Sequence, residues 1–153
     1  MDRKLVKFLA ERSDDVGDLF ADLKRLRVEM REKVQELQTL TDTGQYQSVK
    51  EGLFREDIST MSDILYQDIH VAKDLPVFID TVVRPRGWEI QVYVRRGGNP
   101  SKLKDLLQRL EIPFEEEKPF IHPARFAYDE DLNQIKPIVQ ELIDKLATVE
   151  EIE

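Results

Sequence analysis

From Leu5 to Leu40 apolar residues recur at alternating steps of four and three. The positions are Leu5, Leu9, Arg12, Val16, Leu19, Leu23, Leu26, Met30, Lys33, Leu37 and Leu40, and nine of the eleven are apolar. A 3.5-residue repeat is the seam of a helix that packs lengthwise on another helix. Unbroken, it predicts a rod of about 54 Å at roughly 1.5 Å per residue. Ser13-Asp14-Asp15 offers an N-cap followed by acidic first-turn residues, and Gly17 weakens the helix interior. The reading is therefore two helices end to end, Asp2 to Arg12 and Asp14 to Leu40. Val6, Phe8, Phe20 and Val34 flank the seam where a two-stranded zipper wants charges, so the stripe is broad enough for a bundle.

A second helix is expected over Ser48–Lys73, from Phe54, Ile58, Met61, Leu65 and Ala72 at steps of 4, 3, 4 and 7. The two helices would form an αα-hairpin spanning 1–73. A homodimer would then close a four-helix bundle through Val16, Leu19, Leu23, Leu26, Met30 and Leu37.

Beyond Pro76 the pattern changes. Val77–Val83 is rich in β-branched residues. Arg84-Pro85-Arg86-Gly87 has the composition of a type I turn, and Trp88–Arg95 alternates strictly, so a β-hairpin is predicted. If Val83 faces Trp88, then Asp80 faces Gln91 and Glu89 lies diagonal to Asp80. Asn99 and Pro100 open a helix whose buried stripe is Leu103, Leu106, Leu107 and Leu110. Strands are expected near Ile112–Glu117 and Ala124–Tyr128, and a last helix near Glu130–Ala147. The fold class is α+β: a long-helix hairpin, then a ββαββα module over 74–147 with a mostly antiparallel sheet. An acidic tail over 148–153 is expected to fray.

Composition narrows the chemistry. The chain has no cysteine, which excludes disulfides, a thiol nucleophile and cysteine-ligated metal. His70 and His122 lie far apart without ligand spacing, so no metal or cofactor is expected. No apolar run is long enough to span a membrane, and a cytoplasmic protein is expected. The formal net charge of −8 is unevenly spread. Between Arg84 and Lys104 six cations meet a single acid, Glu89, which leaves −13 on the rest of the chain. Arg84, Arg86, Arg95, Arg96 and Lys102 are thus candidates for contacting an anion or an acidic partner. The stretch Gly97-Gly98-Asn99-Pro100 before a helix N-terminus adds backbone donors.

Asp80 with Glu89-Ile90-Gln91 resembles the PD-(D/E)xK nuclease motif. That resemblance implies two carboxylates holding Mg²⁺. Ile79 stands where the motif has Pro, and Gln91 replaces its Lys. An acidic, cysteine-free α+β dimer of this size is also similar in general character, by element order, to bacterial secretion-chaperone-like adaptors. The leading expectation is a non-catalytic adaptor that dimerises through its helices and binds a protein partner with the α+β module. The alternative is a nucleic-acid-handling protein, extending to a degenerate nuclease using Asp80, Glu89 and Gln91.

Overall fold

The computed structural model describes residues 3–40, 46–51, 62–72, 75–95, 97–117 and 120–149. These form a mixed α+β structure of four helices and one antiparallel sheet. The helices are α1 (Arg3–Glu11), α2 (Ser13–Leu40), α3 (Pro100–Arg109) and α4 (Leu132–Ala147). The strands are β1 (Tyr46–Glu51), β2 (Asp63–Ala72), β3 (Leu75–Arg84), β4 (Gly87–Val94), β5 (Glu115–Glu117) and β6 (Phe120–Phe126). Their order across the sheet is β1-β2-β3-β4-β6-β5.

Where the range Ser48–Lys73 is described, the expected helix is replaced by strand. Residues 63–72 are a strand that pairs with β3 from Asp63↔Val83 to Ala72↔Leu75, and Tyr46–Glu51 pairs with it on the other side. The reason lies in the spacing. A step of four returns to the same face of a helix and also of a strand. Leu65 and Ile69 satisfy both periods, and both are buried. Pairing with β3 settles the choice, and Ile64, Ile69 and Val71 suit a pleated surface. Phe54, Ile58 and Met61, which carried the helical pattern, lie outside the described residues.

The β3–β4 hairpin has the register that its turn imposes. Val83 pairs with Trp88, Thr81 with Ile90, Asp80 with Gln91 and Val77 with Val94. Val77, Ile79, Val83, Trp88, Ile90 and Val92 therefore share one face. Against them pack Met30, Val34 and Leu37 of α2, Leu103, Leu106 and Leu107 of α3, and Ile135, Val139 and Leu146 of α4, as one core. The opposite face of the hairpin is also covered, since Val82, Glu89 and Gln91 are buried there.

Local chemistry sets the ends of the elements. The Asn99 side chain accepts from the Ser101 N–H at 2.9 Å, and Pro100 follows as the first helical residue. Asp131 caps α4 in the same way, accepting from Asn133 N–H. Pro137 is accommodated within α4, at an exposed position. α3 ends in a Schellman motif: Ile112 N–H donates to the Leu107 carbonyl at 2.9 Å and Glu111 N–H to that of Gln108 at 3.1 Å. Glu111 holds the left-handed position at φ 54°. Between α1 and α2 the helical path carries on, with Val16 N–H bonded to the Arg12 carbonyl at 2.9 Å.

Two positive-φ positions make opposite predictions. Glu111→Gly should raise stability by about 0.5–1 kcal/mol, because Gly takes the left-handed conformation without a Cβ penalty. Gly87→Ala should cost about 2 kcal/mol or more, since a left-handed residue and a backbone clash combine there. Gly87 sits at φ +139°, and a Cβ would lie 2.4 Å from the Phe126 carbonyl oxygen. Urea denaturation of both variants checks the pair. A Gly87→Ala protein as stable as wild type would refute the close approach of β6.

Candidate interaction surfaces

The basic window does not fold into one patch. Arg84 and Arg86 flank the hairpin turn, while Arg95 lies at the far end of β4. That is roughly 25–30 Å away at about 3.3 Å per residue. Lys102 is in the first turn of α3, and Arg96 falls outside the described residues.

At the turn end the cations are engaged. Arg86 donates to Glu89 Oε1 through Nη2 at 2.7 Å and Nε at 3.2 Å. Arg84 Nε stands 3.9 Å from Glu89 Oε2, and Gln91 Nε2 donates to that same oxygen at 2.8 Å. The carboxylate is 6% exposed. Burial pushes its pKa up, but the Arg86 hydrogen bond and the charges of Arg84 and Arg86 outweigh it and hold it below the ordinary 4.5. Asp80 pairs with Gln91 across the strands, so the sequence-selected trio does share one sheet face. Both Glu89 oxygens are committed to arginine and amide donors. Among the described residues no group of three or more His, Asp or Glu is placed to hold a metal ion.

The network extends across the sheet. Arg125 of β6, level with Glu89, binds Glu117 and lies 3.6 Å from Glu115. His122, buried beside them, has its pKa lowered by burial and by the Arg125 charge. Sequence spacing alone gives His122 no partner. Its position opposite Glu115 in the β5–β6 pair became visible only with the topology.

At the far end the character is aromatic. Phe78 stacks on Tyr93 with ring centroids 5.3 Å apart, and Phe120 meets Tyr93 edge-on at 5.4 Å. The Arg95 guanidinium lies 5.2 Å above the Phe78 ring. Beside this ladder a cavity of about 400 Å³ opens between the sheet end and α3, lined by Val92, Tyr93, Val94, Leu103, Phe120 and Ile121. Lys104, on its rim, is bonded to Glu116 at 2.7 Å. An apolar cleft with the Arg95 guanidinium at its mouth suits an apolar side chain next to an acidic group.

The third surface is the long helix itself, whose seam is divided. Met30, Val34 and Leu37 are fully buried in the chain's own core, and Leu23 and Leu26 are partly buried against it. Leu5, Val6, Phe8, Leu9, Leu19 and Phe20 are 38–55% exposed. Of the six residues assigned to dimerisation, Met30 and Leu37 are thus used internally, whereas Leu19 lies open. The two polar interruptions of the seam have local partners. Lys33 Nζ sits 4.9 Å above the Tyr128 ring, and Arg12 lies 5.5 Å above Phe8 and 3.9 Å from Asp15. Tyr128 donates its hydroxyl to Glu29 at 3.0 Å, and burial with this hydrogen bond pushes its pKa well up.

No helix among the described residues is long and apolar enough to cross a membrane. No family model, curated protein or solved structure matches this chain.

The turn-end network predicts an acid limb of stability. A carboxylate with a lowered folded pKa stabilises the fold above its unfolded value near 4.5, and that contribution disappears as pH falls through the folded value. Buried His122 acts in the same direction below its ordinary 6.5, because the folded state disfavours its protonation. Glu89→Gln should flatten the loss of stability below pH ~4.5. Glu89→Ala should cost about 2–3 kcal/mol at pH 7, less than a fully buried pair because Arg86 reaches solvent. Thermal unfolding from pH 3 to 7 reads both, and an unchanged acid limb in Glu89→Gln would exclude the assignment.

Proposed function

We propose that this protein is a non-catalytic, cytoplasmic adaptor that associates through its N-terminal helical arm and binds a protein partner with the α+β module. The exposed apolar stripe of residues 5–20 carries the reading. Contiguous apolar surface on a projecting helix is costly unless something covers it. The chain's own core covers the stripe only from about Leu23 onward. On the module, the aromatic cleft at the end of β4 is the surface best suited to a partner. It offers apolar depth, and Arg95 makes no ion pair among the described residues.

The nucleic-acid alternative draws less support. Phosphate binding wants several cations free on one surface. Here Arg84 and Arg86 are turned onto Glu89, and Arg95 stands at the opposite end of the strand. The nuclease version needs Glu89 to exchange two arginines and Gln91 for a metal.

The experiment is mass measurement by light scattering. Wild type should scatter well above 18.0 kDa at micromolar concentration. Leu19→Glu with Phe20→Glu should weaken association by roughly 100-fold, from the loss of two apolar side chains at the contact. Near-ultraviolet circular dichroism should show the module unchanged. A monomeric wild type would refute the proposal for the arm.

A further inference from the structure

The arm, residues 3–22, is polarised in charge. Arg3, Lys4 and Lys7 make its first turns basic. Asp14, Asp15, Asp18 and Asp22 make its second half acidic. Arg12 interrupts the apolar seam between these halves. The arm is also rooted asymmetrically. The stripe that is open at Leu5, Leu9 and Leu19 runs on into Met30, Val34 and Leu37, which bury into the module. The module therefore lies on the same side of the rod as the open stripe, further along it.

We propose, resting on the reading that the arm is an association element, that its occupant is the same arm of a second copy. The two arms run antiparallel about a two-fold axis beside Ser13. In this pairing, to within one residue, Leu9 is level with Leu19 and Leu5 with Leu23 along the seam, Val6 with Phe20 on its flank, and Ser13 with its own counterpart. Lys4 is level with Asp22, on the same flank of the stripe. Along the rod the basic first turns of each arm are level with the acidic second half of the other, with Arg3, Lys7, Asp14 and Asp18 on the outer face, so the charge order favours encounter in this direction at long range. Arg12 lies at the centre, within reach of Asp15 of either copy. A charged residue at a seam position sets register at some cost in stability.

A parallel pair fails on two grounds. It sets the basic turns against each other and the aspartates against each other. It also brings both modules to the same level on the stripe side, where each occupies the path of the other's helix. The antiparallel pair places the modules at opposite ends. The module's packing begins at Leu23, about 15 Å from Ser13 at roughly 1.5 Å per residue, so the two modules begin about 30 Å apart along the rod.

The cysteine-free chain makes orientation measurable. Single cysteines are introduced as Ser13→Cys, Lys4→Cys and Asp22→Cys, and the proteins are oxidised with glutathione. Ser13→Cys should link to itself. Lys4→Cys should not, whereas a mixture of Lys4→Cys and Asp22→Cys should form the mixed disulfide. As a second measurement, Asp15→Lys with Asp22→Lys should weaken association by about tenfold, through like charges placed beside Arg12 and Lys4 on the flank of the contact. Adding Lys4→Glu and Arg12→Glu to that variant should restore it. Self-linking of Lys4→Cys without the mixed product would establish a parallel pair and overturn the proposal. A dimer showing none of these links would place the contact outside the arm and overturn it equally. A monomeric wild type would instead remove the association reading itself.

Discussion

The pairing of β2 on β3 is the interaction on which the rest of the structure depends. Without it residues 63–72 keep only the short β1 as a partner among the described residues, and their spacing fits a helix as well as a strand. With it the hairpin grows into a sheet whose core face extends through Leu65 and Ile69. That added width gives α2 somewhere to lie. Met30, Val34 and Leu37 are buried against it, at about 1.5–3 kcal/mol for each side chain removed from water. α4 packs on the same face, so one sheet surface serves the long helix, α3 and α4 together.

The consequence for the long helix is a division of labour along one stripe. Its C-terminal part is core and its N-terminal part is surface. Tyr128 marks the boundary, donating to Glu29 while carrying Lys33 over its ring. These contacts brace the rod where it leaves the module. They also explain why a lysine is tolerated at a seam position. Lys33 keeps its charge at the rim, over an aromatic ring, and does not face a second helix.

What the sequence made legible follows from how locally each feature is determined. The hairpin register could be read because a short turn fixes it, and one wrong step would turn Trp88, Ile90 and Val92 away from the core. The α3 cap could be read because Asn99-Pro100 acts on its own neighbours. The strand β2 could not, because its identity is decided by β3 and not by its own periodicity. The basic window misled for a related reason. Residues 84–104 are close in sequence, but a strand carries its two ends far apart, so Arg86 and Arg95 never share a surface. The Glu111 cap was invisible because Glu stands where Gly is the usual signal. His122 needed the β5–β6 pairing to acquire its acidic and basic neighbours.

The arm joins structure and association. Starting a helix is unfavourable and extending one is not, so an isolated helix as short as the arm is marginal in water. Rooted in the module through α2, the arm needs no nucleation of its own, since its turns extend a helix already fixed at Met30 and Leu37. Extension is still opposed by Gly17 and by the polar interruption at Arg12 and Ser13. The outer turns, Arg3 to Glu11, bury nothing within the chain and gain least from the module. Their order is therefore the part of the fold most sensitive to a second surface. Covering Leu5, Val6 and Leu9 stabilises the same turns that present them, so helix extension and association reinforce each other. In the proposed association the apolar stripe, which would be a solubility liability on a solitary helix, becomes the term that holds the arm straight. In the proposed pairing its charge order favours the antiparallel partner.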